Sequence, residues 1–147
     1  MKQPGALICL FIFVAAVSFA LASEQYNSAR KLKATLTGAA EVPGPGDADG
    51  SGTATLTLAA GKNQICYEVA VSNIGTATAA HIHSGGADVA GPVLVTLTAP
   101  AASGSSKDCA TLEHEKILEI LKNPGNYYVN VHTAEFPDGA VRGQLTK

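Results

Sequence analysis

Thr53-Ala54-Thr55-Leu56-Thr57-Leu58, then Gly61-Lys62-Asn63, then Ile65-Cys66-Tyr67-Glu68-Val69-Ala70-Val71-Ser72: this stretch decides the fold. The first segment alternates polar with apolar residues, so an extended chain there has one oily face and one wet face. The second segment puts Ile65, Tyr67, Val69 and Val71 on one face and Cys66, Glu68, Ala70 and Ser72 on the other. A glycine-lysine-asparagine turn joins them. Strand, short turn, strand predicts antiparallel pairing.

The same period extends outward. Strands are expected at 31–37, 78–83, 93–98, 126–132 and 140–146, beside those at 53–58 and 65–72. Gly44 to Gly52 is a loop, because glycine, proline and aspartate each oppose strand pairing. Its Asp47-Ala48-Asp49-Gly50 resembles the start of a calcium loop, but Leu58 stands where the closing glutamate belongs. One helix is expected at 112–122, with Ile117, Ile120 and Leu121 at helical spacing and Asn123-Pro124-Gly125 to stop it. Parallel strands need a crossover at each connection, and the chain offers one helix. The expected fold is all-β, an antiparallel sandwich or flattened barrel with one short helix.

At the N-terminus, Lys2 precedes an uncharged, mostly apolar run from Ala6 to Ala22, and Ala20-Leu21-Ala22 has the small-x-small pattern of a signal cleavage site. Residues 1–22 therefore read as a signal peptide, 23–30 as a flexible N-terminus and 31–147 as one domain. The mature protein is expected to be secreted, periplasmic or extracellular, with no membrane association after cleavage. The formal charge is −2, with Arg30, Lys31 and Lys33 as the one basic cluster, which excludes the footprint of a nucleic-acid binder.

Cys9 leaves with the signal, so the mature chain keeps Cys66 and Cys109, an even pair in an oxidising compartment. A disulfide between them closes a loop of roughly 43 residues, worth roughly 4 kcal/mol at most in the chain-entropy model. Cys66 is out of phase with Ile65 and Tyr67, so the bond should run over the surface. The α-carbons should lie about 4.4–6.8 Å apart.

Phase also places the histidines. Tyr127, Val129 and Val131 form the apolar face of their strand, leaving Tyr128, Asn130 and His132 on the other. Ile82 takes the apolar phase of its strand, and His81 and His83 the opposite one. Arg142 and Gln144 alternate with Val141, Gly143 and Leu145. Three imidazoles thus fall on the polar side, and His-x-His in a strand sets two rings side by side. Neutral imidazole nitrogens are common ligands of copper and zinc. Glu41 reads either as a further ligand or ring-orienting group or as a solvated loop carboxylate, Asn130 and Arg142 as neighbours of the site, and His114, between two glutamates, as a solvent-facing residue. No Gly-x-Ser-x-Gly elbow is present, and Ser84 beside His83 lacks a third partner.

Taken in order, Leu36-Thr37-Gly38-Ala39-Ala40-Glu41-Val42-Pro43, Ile65-Cys66-Tyr67-Glu68-Val69, Ala80-His81-Ile82-His83, Gly91-Pro92-Val93, Asn126 to Thr133, Phe136-Pro137, Gly139 and Arg142-Gly143-Gln144-Leu145 resemble the CHRD domain. That family is named for its occurrence in chordin and is frequent in bacterial secreted proteins. The resemblance implies an immunoglobulin-like barrel or sandwich, by distant similarity to copper/zinc superoxide dismutases, and carries no activity with it. Its motif positions here are Glu41, His81, His83, His132 and Arg142. The dismutase copper takes four histidines and its zinc further ligands. This chain has three candidates plus the remote His114, a departure that counts against dismutase activity and more strongly against two metals.

Three functions remain open on sequence. The chain binds one transition-metal ion, copper before zinc, through His81, His83 and His132; or it is a copper-dependent redox enzyme; or it is a metal-free module for an extracellular protein or glycan partner.

Overall fold

The computed structural model describes residues 28–147; the expected signal peptide, and residues 23–27 of the expected flexible terminus, lie outside them. Eight strands and one helix follow: β1 (Arg30–Thr37), β2 (Ser51–Ala59), β3 (Gln64–Ser72), β4 (Ala77–Ser84), β5 (Val93–Leu97), β6 (Ser105–Thr111), α1 (His114–Lys122), β7 (Tyr127–Thr133) and β8 (Val141–Gln144). They form one sheet in the order β5-β4-β7-β8-β1-β2-β3-β6, with every pair antiparallel. The sheet curls into a nearly closed barrel. Its seam, between β5 and β6, is laced by side chains: the Thr98 N–H donates to Tyr67 Oη (2.8 Å), and Thr98 Oγ1 donates to Asp108 (3.2 Å).

Period-two alternation builds the core. Leu32 and Leu36, Leu56 and Leu58, Ile65 and Val69, Ile82, Val129 and Val131, and Leu145 point inward and are fully buried. The helix closes one end by burying Ile117 and Ile120, two turn-related positions on its apolar side.

Three expectations need correction. The strand β6 was not expected: its sequence, Ser-Ser-Lys-Asp-Cys-Ala-Thr, has no apolar phase, and pairing to β3 makes it a strand. His114 is not solvent-facing. It is half-buried, and its Nδ1–H donates to the Ala60 carbonyl at 2.9 Å, because the 60–62 turn packs beneath the start of α1. The Cys66–Cys109 disulfide is present and lies on the outer face, but the α-carbons are 3.9 Å apart, closer than expected. Cys66 and Cys109 are direct partners in the β3–β6 ladder, which spaces partners about 4.5–5.5 Å apart, and this pair is drawn closer still.

Candidate metal centre

Strand register assembles the histidines. In the β4–β7 pairing His81 faces Asn130, His83 faces Tyr128 and Ala79 faces His132, while Ile82 faces Val129 on the inner side. His81 and His132 are therefore diagonal neighbours, within reach of long side chains. On the next strand, Arg142 faces Asn130 and Gln144 faces Tyr128. On the other side of β4, the partners of Ile82 and His83 skip Leu94, a bulge of the kind that re-aims side chains.

This outer patch is largely covered, with His81 and His132 half-buried at its rim. Three loops cover it: residues 41–50, 85–92 and 134–140. Beneath them Arg142 is 1 % exposed, Asn130 and Tyr128 3 %, Glu41 6 % and His83 8 %. Close approach of the loops depends on glycine at two points. A Cβ at Gly91 would strike the Ser84 carbonyl, and one at Gly139, whose φ is +145°, would strike the Glu41 carboxyl.

Ring nitrogens of His81, His83 and His132 lie within 4.8 Å of one another, the grouping among the described residues placed to share an ion. Backbone carbonyls fix two of the rings. His83 Nδ1 sits 2.8 Å from the Gly91 carbonyl, and His132 Nδ1 sits 2.9 Å from that of Pro137. A carbonyl only accepts, so both Nδ1 atoms carry a proton, which in the neutral ring leaves the lone pair on Nε2. This is the usual way a ligating histidine is oriented. The His83 Nε2 is buried with no partner. The His132 Nε2 accepts from His81 Nδ1 at 3.0 Å. Two nitrogens bound tetrahedrally to one zinc lie about 3.3 Å apart, so that pair is already near ligating distance. His81 would bind through the same Nδ1 after passing its proton to Nε2.

Burial holds the His81 imidazolium below its usual pKa of 6.5, and His132 and His83 add to the effect. Burial also lowers His132, against its hydrogen bond to Pro137. Both rings are thus neutral, with lone pairs available, near neutrality. The donor set suits an ion that accepts imidazole nitrogen, such as copper or zinc.

Glu41 contributes no oxygen to this grouping and orients no ring; its Oε1 is buried without a partner. Burial pushes its acid up to about 7, partly offset by Arg142 and the Val42 N–H, and Asp138 raises it further. Arg142 clamps the 85–92 loop: Nη2 donates to the carbonyls of Gly86 (2.7 Å) and Val89 (3.1 Å) and to Gln144 Oε1 (3.1 Å). Gln144 Nε2 reaches the carbonyls of Gly85 and Gly125.

Two groups were not singled out from sequence. Tyr128 stacks on His83, centroids 4.7 Å apart and planes 4° from parallel, with the Arg142 Cζ 3.4 Å from the same ring's centroid. Its hydroxyl accepts the Gly91 N–H at 3.1 Å, so it also holds the carbonyl that orients His83. Gly91 acts through its backbone. Tyr128 shares the polar phase of β7 with His132, and that phase was the signal that would have found it.

No curated protein and no solved structure matches the chain. The family model of the CHRD domain matches residues 32–145, from Leu32 within β1 to Leu145, and takes in every residue of the histidine patch. The chain belongs to the CHRD domain family.

Proposed function

We propose that this protein is a secreted module that binds one transition-metal ion, copper in preference to zinc, through His81, His83 and His132. The observation that carries the reading is the convergence of three imidazoles, two of them with Nδ1 tied to a carbonyl and Nε2 turned into the patch. A buried, unpartnered Nε2 on His83 costs about 1–3 kcal/mol in stability, and a bound ion removes that cost. Copper is favoured because it exceeds zinc in the usual order of affinity for nitrogen ligands. Export is supported by the disulfide and by the apolar N-terminal run with its cleavage pattern. Among the described residues, no helix is long and apolar enough to cross a membrane.

The test is metal content and affinity after expression with copper and zinc both supplied. Copper is expected at one ion per chain. Each of His81→Ala, His83→Ala and His132→Ala should weaken it by more than about 100-fold, since even outer-shell losses cost 10–100-fold, while His114→Ala leaves it unchanged. Copper bound equally tightly by the triple variant would refute the reading. A metal-free interaction module predicts no bound ion at all. Superoxide and peroxide turnover by the copper-loaded protein would mark a redox enzyme instead of a carrier.

A further inference from the structure

Arg142 is a buried cation with no anion bound to it. Its Nη1 is buried without a partner, and Nη2 is spent on two carbonyls and an amide oxygen. The ion pairs among the described residues are Lys107–Glu68 and Lys116–Glu119, both far out on the surface. The buried carboxyl facing it is Glu41, an acid pushed up to about 7 and so only partly ionised near neutrality. Asp138 also faces this region, but it is exposed and screened by water. A positive charge therefore stands only partly compensated beneath the loops.

That charge is one ring away from a ligand. The guanidinium carbon lies 3.4 Å from the Tyr128 centroid, and the His83 ring lies parallel to the same phenol at 4.7 Å. Two groups at those spacings cannot share one face, so Tyr128 is sandwiched between the cation and the imidazole. Three imidazole ligands bring no anion to offset the charge of an ion they hold. Imidazole accepts copper in either oxidation state as well as zinc, so donor softness does not choose among them. Charge then does.

Resting on the metal-binding reading above, we propose that Arg142 is a specificity-determining residue that biases the three-histidine site toward monovalent copper over divalent copper and zinc. Each extra elementary charge on the ion meets added repulsion. At a separation of about 8 Å and an effective dielectric of about 20, this amounts to roughly tenfold to thirtyfold in affinity.

The experiment measures Cu(I) and Cu(II) dissociation constants of the disulfide-bonded protein by chelator competition, together with its copper reduction potential. Arg142→Lys keeps the charge and should keep the Cu(I)-to-Cu(II) affinity ratio. Arg142→Met removes the charge and should lower the ratio about tenfold or more, a fall of about 59 mV for each factor of ten. A milder variant covers the case in which Arg142→Met does not fold. Glu41→Gln removes the carboxylate that partly offsets Arg142 above pH 7, so at pH 8 its ratio should exceed the parent's. Copper held by the histidines with the parent's ratio in Arg142→Met, or in Glu41→Gln at pH 8, overturns the role of Arg142 and leaves the metal reading standing. Copper binding that survives loss of all three histidines overturns both.

Discussion

On β1, β2, β3 and β6 the outward residues stand in or near water, whereas on β4, β7 and β8 the outward residues lie under three loops. Lys31, Lys33, Glu68 and Lys107 are exposed, and the Lys107–Glu68 pair at 3.5 Å has both side chains well over half accessible. Across the sheet, in the same outward phase, Arg142 is 1 % exposed and Asn130 3 %. The alternation is identical in both halves and the outcome opposite. Period two in a strand separates two faces; what happens to the second face is decided by the loops that fold back over it. In this protein the loops at 85–92 and 134–140 leave from the half that carries the histidines, and the 41–50 loop, which joins β1 to β2, crosses over to pack against Ala140.

The two halves should therefore fail differently. The open half holds its edge strand β6, which buries no residue fully, through the β3 ladder and the disulfide. The double substitution Cys66→Ala, Cys109→Ala should cost up to about 4 kcal/mol in urea unfolding, with amide exchange rising first in Ser105–Thr111. Uniform exchange across the sheet would erase the distinction. In the covered half, Arg142→Met should cost about 3 kcal/mol, because it takes the donor from the partly buried carbonyls of Gly86 and Val89 and from Gln144; a cost under about 1 kcal/mol would mean the clamp contributes little.

Glu41 sharpens the contrast through pH. Its acid is raised from 4.5 in the unfolded chain to about 7 in the fold, so between those values the native state binds more protons. Stability should be full below pH 4.5 and decline as pH rises through 7, by an amount on the order of 2 kcal/mol. Glu41→Gln should flatten that slope in a pH series of unfolding midpoints, and an unchanged slope would place the titration elsewhere. The smallest effect belongs to the open half: Lys107→Ala should shift stability by no more than about 0.5 kcal/mol, as exposed pairs do.

Much of this was legible in the chain. Ile65 to Ser72 and Tyr127 to His132 announce their faces through alternation, and the histidine phase follows from Ile82, Val129 and Val131. The resemblance carried the family. Less visible were features that act through backbone or through partners. Ser105–Thr111 has no apolar phase and becomes a strand by pairing. The groups that orient the rings are the carbonyls of Gly91 and Pro137, which every residue possesses and no side-chain pattern marks. His114 sits among charged neighbours in sequence, yet a turn from 54 residues upstream reaches it.

The 85–92 loop meets the patch through main-chain atoms: the carbonyls of Gly85, Gly86, Val89 and Gly91 and the amide of Gly91. Ala87, Asp88, Val89 and Ala90 turn their side chains outward. Shape is thus specified where identity is not. A library randomised at 87, 88 and 90 would retain the enclosure while changing what the surface above it displays, so new recognition could be installed over the histidines without rebuilding what lies beneath.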